Sequence, residues 1–235
     1  MSWKTVRVKS LAALAGLILL AGAATAGARA QGVAGDDEGG AAGESPYKLE
    51  RGMYEFGAWG GGSPGTTTFW GRTTNRKLVV AGFRAGRVMG SKKHFTFELT
   101  ADVIPYLRLV QPRETRRFFD ADDGRDIFTS SGPDATAVGV SPVGVKFQFR
   151  RRERVKPFAE AAVGILVFDR NVPYEAARRF NYTVAGGAGV QIFSRSRRAA
   201  TLGYKFHHIS NANTGRINPG IDSHIFYVGY SVFRR

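Results

Sequence analysis

The chain contains no cysteine. A disulfide framework, a thiol nucleophile and a thiolate metal site are therefore all excluded. Acidic residues are scarce, 19 against 34 lysines and arginines, for a formal charge of +15. Such a balance excludes a preference for cationic partners and suits nucleic acid or a phosphate-rich membrane surface. Beyond the N-terminal segment no stretch reaches the roughly eighteen uninterrupted apolar residues that a spanning helix needs. A helical period of 3.6 is missing as well. The apolar residues recur at every second position instead.

Residues 1–30 read as a secretory signal. Lys4, Arg7 and Lys9 form the basic start, Leu11 to Ala21 the apolar run, and Ala28-Arg29-Ala30 the small-residue cleavage site. Removing them takes away four positive charges and no negative ones, so the charge falls from +15 to +11. Export argues against nucleic acid as the partner and leaves the membrane. Residues 31–47 are rich in Gly and Ala, carry Asp36, Asp37, Glu38 and Glu44, and lack the apolar residues that offset ordering entropy, so a flexible acidic tail is expected. Residues 48–235 remain for one domain.

Within that domain the alternation is regular. In "FTFELTADVIPYL", Phe95, Phe97, Leu99, Ala101 and Val103 share one face, and Thr96, Glu98, Thr100 and Asp102 share the other. The same pattern recurs around Tyr54–Ala58, Val79–Gly86, Val143–Phe149, Ala159–Val167, Tyr182–Ile192, Leu202–Phe206 and Ile225–Val232, which gives eight strands. A phase change near Ser141-Pro142 suggests a bulge. The connections alternate too. Gly60–Asn75, Leu107–Ala135, Asp169–Asn181 and Asn211–Ile221 are long, whereas the links at Ser91-Lys92-Lys93, Arg150–Arg154 and Ser194–Arg198 are short and basic.

Short turns at one end and long loops at the other describe an all-β, eight-stranded antiparallel transmembrane β-barrel of the outer membrane, closed so that no edge is left free. The apolar face meets lipid. Arg84, Glu98, Asp102, Glu160, Gln191 and Lys205 point inward, into a space only wide enough for side chains, so a plugged barrel and not a pore is expected. The alternative is an exported soluble barrel with its apolar face inward, and the regular asymmetry of the connections disfavours it.

Near the C-terminus, "HHISNANTGRINPGID" breaks the apolar stripe. His208 and Ser210 continue the face of Leu202, Tyr204 and Phe206, and the chain turns back through Asn218-Pro219-Gly220. Asp222 begins the next strand on the same face as His224, Phe226 and Val228. Pairing the two strands gathers His208, Ser210 and Asp222 into one patch at the outer rim. These are the parts of an acyl-transfer site: a hydroxyl, an imidazole to take its proton, and a carboxylate to fix the imidazole's tautomer. The backbone amides of Asn211 and Asn213 are candidates to receive the oxyanion. Arg216 is a weaker candidate for a substrate phosphate. His207 faces inward and reads as structural, and His224 as a rim residue. The bland alternative makes all of these rim residues of a structural or adhesive barrel.

The segment "GYKFHHISNANTGRINPGIDSHIFYVGYSVF", Gly203 to Phe233, resembles the C-terminal signature of the lipid A 3-O-deacylases, the PagL-type outer-membrane acyloxyacyl hydrolases. The shared marks are His-x-Ser-Asn at His208–Asn211, the Asn-Pro-Gly turn, and a carboxylate about a dozen residues after the serine. That resemblance implies a membrane-facing serine esterase acting on lipid A or lipopolysaccharide in the outer leaflet. It implies no metal or organic cofactor, and a homodimer is left open. A barrel phospholipase is the second enzymatic possibility. This chain has Asp222 where the family's best-known members carry Glu.

Overall fold

The computed structural model describes residues 45–235 other than 93, 121, 122, 151 and 196; the expected signal and nearly all of the acidic tail lie outside the described residues. Eleven strands follow one another: β1 (Tyr54–Ser63), β2 (Thr66–Thr67), β3 (Lys77–Ser91), β4 (Phe95–Val110), β5 (Thr115–Asp120), β6 (Arg125–Ser130), β7 (Ala135–Phe149), β8 (Val155–Val172), β9 (Arg178–Phe193), β10 (Arg198–Ser210) and β11 (Ile221–Arg234).

The eight long strands pair in the order β1-β3-β4-β7-β8-β9-β10-β11, and β11 pairs back with β1, so the sheet closes. Every pairing is antiparallel, including the seam, where Tyr54 faces Arg234 and Gly62 faces Phe226. Closure satisfies every backbone ladder within the protein, which is what a lipid environment demands. The eight expected strands fall within the eight long ones, and β2, β5 and β6 lie in links expected to be loops. Near Ser141-Pro142 the β7–β8 register slips between Val140 and Val143, as the phase change predicted.

The two faces sort as their alternation requires. Phe83, Val103, Leu202, Phe226 and Val228 are each more than half exposed on the outside, at 59, 54, 60, 59 and 64%. Inside, Arg84 donates two hydrogen bonds of 2.8 Å to Asp102 and one of 2.7 Å to Glu160. Lys205 lies 3.3 Å from Glu160, and Tyr227 donates to the same carboxylate at 2.7 Å. A second network sits nearer the turns, where Lys146 bridges Glu55 and Glu98. Inward glycines make room for these long side chains. A Cβ on Gly86 would collide with the Glu98 carboxylate, and one on Gly203 with the Tyr227 ring. The interior is thus filled by matched charges, and the barrel is plugged.

Apolar clusters cap this polar core at both ends. Leu49 and Met53, just before β1, pack with Val88, Phe193, Ala199 and Phe233 at the turn end. Leu78, Leu107, Leu109, Phe168, Ile209 and Ile221 fill the loop end. The long link after β4, read from the sequence as loop, holds the β5–β6 hairpin. Its Phe118 and Ile127 pack on Tyr174, Ala177 and Ile217. β2 lies in the first long link and pairs with β11 at Asp222 and Ser223, extending the seam outward.

Candidate active site

The site sits at the loop end of β10 and β11. Their register sets His208 directly opposite Asp222. A short carboxylate arm therefore suffices, and His208 Nδ1 and Asp222 Oδ1 are 2.6 Å apart. The Asp222 side chain is fully buried, and that of His208 is 16% exposed.

The burial of Asp222 comes from the far end of the chain. After β2 the first outer loop crosses the seam and lays Trp70 and Gly71 over β11. Their backbone N–H groups donate to Asp222 Oδ2 at 2.6 and 2.7 Å. The loop is clasped further by Arg72 N–H on the Pro219 carbonyl and by Thr73 Oγ1 on the Gly220 carbonyl, at 2.5 and 2.7 Å. One carboxylate oxygen thus holds the imidazole and the other is held by backbone. A carboxylate fixed at both oxygens sets the orientation of its histidine. The Trp70 ring meets His208 edge-on, with centroids 5.5 Å apart. Gly220, at φ +66°, lies so close that a Cβ there would sit 3.0 Å from His208 Cε1. Sequence reading missed this clamp, because backbone amides have no side-chain signature. The one available sign was Phe69-Trp70-Gly71, an aromatic pair in a loop otherwise made mostly of Gly, Thr and Ser.

Ser210 ends β10 two residues beyond His208, on the same face and half-buried. Among the described residues no hydrogen bond joins Ser210 to His208. The Asn211 N–H donates to Asn218 Oδ1 at 3.1 Å. Asn213 occupies the left-handed region, with φ 62°. Arg216 reaches away to the β5–β6 hairpin, 3.1 Å from Asp120 and 3.2 Å from Asp123. His207 is buried inside the barrel. His224 lies two pairs below Asp222 and shares a 2.6 Å hydrogen bond with the Tyr204 hydroxyl, so two polar groups on the outer wall satisfy each other.

Aromatic side chains flank the dyad. Phe69 and Trp70 stand on the β11 side, 74 and 42% exposed; Phe180 and Tyr182 stand on the β9 side, 41 and 44% exposed. Exposed aromatic girdles mark the membrane interface of such barrels, which sets the dyad at the level of the outer headgroups. No group of three or more His, Asp or Glu side chains among the described residues is arranged to hold a metal ion. The arrangement offers a positioned imidazole and a hydroxyl beside it, open to the lipid side of the wall.

The sequence model of the family described as lipid A 3-O-deacylase (PagL) matches residues 66–231, from the loop that clamps Asp222 to the last strand. The chain belongs to that family. Membership in the lipid A 3-O-deacylases makes it an integral outer-membrane protein of an ester-hydrolase family acting on lipid A. Among solved structures, the outer-membrane enzyme PagL aligns over 76% of this chain and 98% of its own, at 17% identity and a TM-score of 0.49. Neisserial surface protein A covers 77% of this chain and 96% of its own, at 11% identity and a TM-score of 0.44. The outer membrane protein OprG from Pseudomonas aeruginosa covers 80% of this chain and 99% of its own, at 10% identity and a TM-score of 0.47. No curated protein sequence matches the chain.

Proposed function

We propose that this chain removes the ester-linked 3-O-acyl chain of lipid A through Ser210, His208 and Asp222. The observation that carries the reading is the Asp222 carboxylate, pinned by two backbone amides on one oxygen and bonded to His208 on the other. Nothing in barrel stability calls for such an assembly on the lipid side of the wall. Orienting an imidazole explains it.

With Nδ1 held by Asp222, His208 Nε2 is left to act as the base. Ser210 lies roughly 7 Å along the strand, two residues at the usual strand rise. Hydrogen bonds between nucleophile and base are often long without substrate and tighten when it binds. In the reaction, Ser210 Oγ attacks the ester carbonyl and His208 takes its proton. His208 then passes that proton to the departing sugar oxygen, leaving an acyl-serine. Water repeats the sequence and frees a hydroxy fatty acid. The oxyanion falls to the amide of Asn213, and to that of Asn211 once it exchanges Asn218 for substrate. Arg216 meets a lipid phosphate only by giving up Asp120 or Asp123.

Mass spectrometry of lipid A treated with the purified barrel tests this reading. Loss of one hydroxyacyl mass is expected with the wild type and with neither Ser210→Ala nor His208→Ala. Unchanged lipid A in all three, with phospholipid cleaved by the wild type, would transfer the site to a phospholipase.

A further inference from the structure

We propose that the turn end of the barrel is a basic collar that binds the anionic headgroups of phospholipids in the inner leaflet of the outer membrane. All three short turns are basic in the structure. Lys92 lies in the first, Arg150, Arg152 and Arg154 in the second, and Arg195 and Arg197 in the third; all but half-buried Arg197 are exposed. The carboxylates outside the wall at this end, among the described residues, are Glu50 and Glu153, and each already contacts an arginine, Arg235 and Arg150. The loop end differs. There Arg108, Arg117, Arg170 and Arg216 each meet an aspartate. Arg72, Lys77, Arg113, Arg125, Arg178 and Arg179 meet no carboxylate there among the described residues, but that end also carries Glu114, Asp120, Asp123, Asp126, Asp134, Asp169 and Glu175, so the excess of positive charge is greater at the turn end, away from the candidate active site.

Two of these arginines occupy backbone that does not suit them. Arg150 and Arg197 have φ of 56° and 57°, in the left-handed region that favours Gly or Asn. A turn chosen for its shape alone would not place arginine there twice. The charge is retained against conformational preference, which points to a role for the side chain.

The depth of the collar identifies the partner. Exposed aromatics form a girdle just inside the turns. Phe149 is 46% exposed and immediately precedes Arg150, and Tyr54 is 39% exposed. The Arg87 guanidinium lies over the Tyr54 ring at 5.3 Å. Girdles sit at the membrane–water interface, so Arg150, one residue beyond Phe149, and the other turn cations lie at headgroup level. A phosphate of a neighbouring phospholipid is the anion found at that depth. A soluble anionic polymer would have to descend to the membrane surface to reach it.

The test is native mass spectrometry of the full barrel in micelles containing equal amounts of phosphatidylglycerol and phosphatidylcholine. The wild type is expected to retain phosphatidylglycerol preferentially, and that preference to shrink roughly fivefold for each arginine removed and to fade with added salt. Arg150→Asn and Arg197→Asn relieve the turn backbone, so they should keep or raise the melting temperature while losing lipid. Arg152→Gln and Arg195→Gln repeat the test without a change in backbone preference. Equal retention of the two lipids, a preference unmoved by these variants, lipid loss only in variants that also lose melting temperature, or stronger binding of soluble peptidoglycan fragments would each overturn the proposal.

Discussion

Replacing Asp222 by Asn changes one atom and separates the role of charge and tautomer from that of shape. Oδ2 of Asp222 receives N–H groups from Trp70 and Gly71, and those donors cannot turn away because they are backbone. The Asn oxygen must therefore take that side. Its NH2 group then faces His208 Nδ1, which is forced to accept. The imidazole proton moves to Nε2, and no base remains for Ser210. In a serine hydrolase the equivalent change costs about 10⁴ in kcat. The flipped amide is the only escape, and it sets two backbone donors against an NH2 group. Leaving those donors unpaired costs at least about 2 kcal/mol, a factor of roughly thirty. The expected loss therefore lies between about thirtyfold and 10⁴-fold. The assay is release of hydroxy fatty acid from lipid A, with circular dichroism confirming an intact barrel. Activity within about threefold of wild type, in a variant whose wrong tautomer should cost far more, would refute the orienting role.

Three further outcomes follow from the same structure. Gly220→Ala puts a methyl group 3.0 Å from His208 Cε1 on backbone at φ +66°, so activity should fall with the barrel still folded; an unchanged rate would show that the imbalance is absorbed without moving the imidazole. Lys146→Met removes the cation between Glu55 and Glu98 and leaves two buried carboxyl groups facing each other. Breaking a buried pair in this way costs about 3–5 kcal/mol, to be read from urea unfolding in lipid vesicles. In the outer loops, burial pushes the Glu114 carboxyl up, but the Tyr174 hydroxyl and the charges of Arg116 and Arg76 outweigh it and hold the group below the ordinary carboxylate range. Its contribution is therefore present above the unfolded value and lost as pH falls through the folded one, so protection of the β5 and β6 amides from exchange, relative to their intrinsic rate, should fall below about pH 4. No such change with Glu114→Gln as the control would set that linkage aside.

The barrel was legible because period two carries face and strand together. Glu98 and Asp102 announce the interior as plainly as Leu99 and Val103 announce the wall. His208, Ser210 and Asp222 were legible by parity and hairpin pairing. The β5–β6 hairpin was not. Phe119 and Phe128 project outward there at 67 and 71% exposure while Phe118 and Ile127 pack inward, so neither face of that ribbon stands out as apolar. The clamp on Asp222 was hidden for a different reason. Its donors are main-chain groups shared by every residue, and the contact spans 151 and 152 positions.

That span has a consequence for when the molecule becomes competent. The loop that grips Asp222 belongs to the first hairpin, and Asp222 belongs to the last. They meet only across the seam where β1 zips to β11. A chain in transit, or one inserted with its sheet still open, has His208 and Ser210 but lacks the geometry that would arm them. Under the proposed mechanism, hydrolysis waits for completion of the cylinder, and a half-assembled copy lacks the held carboxylate that orients His208.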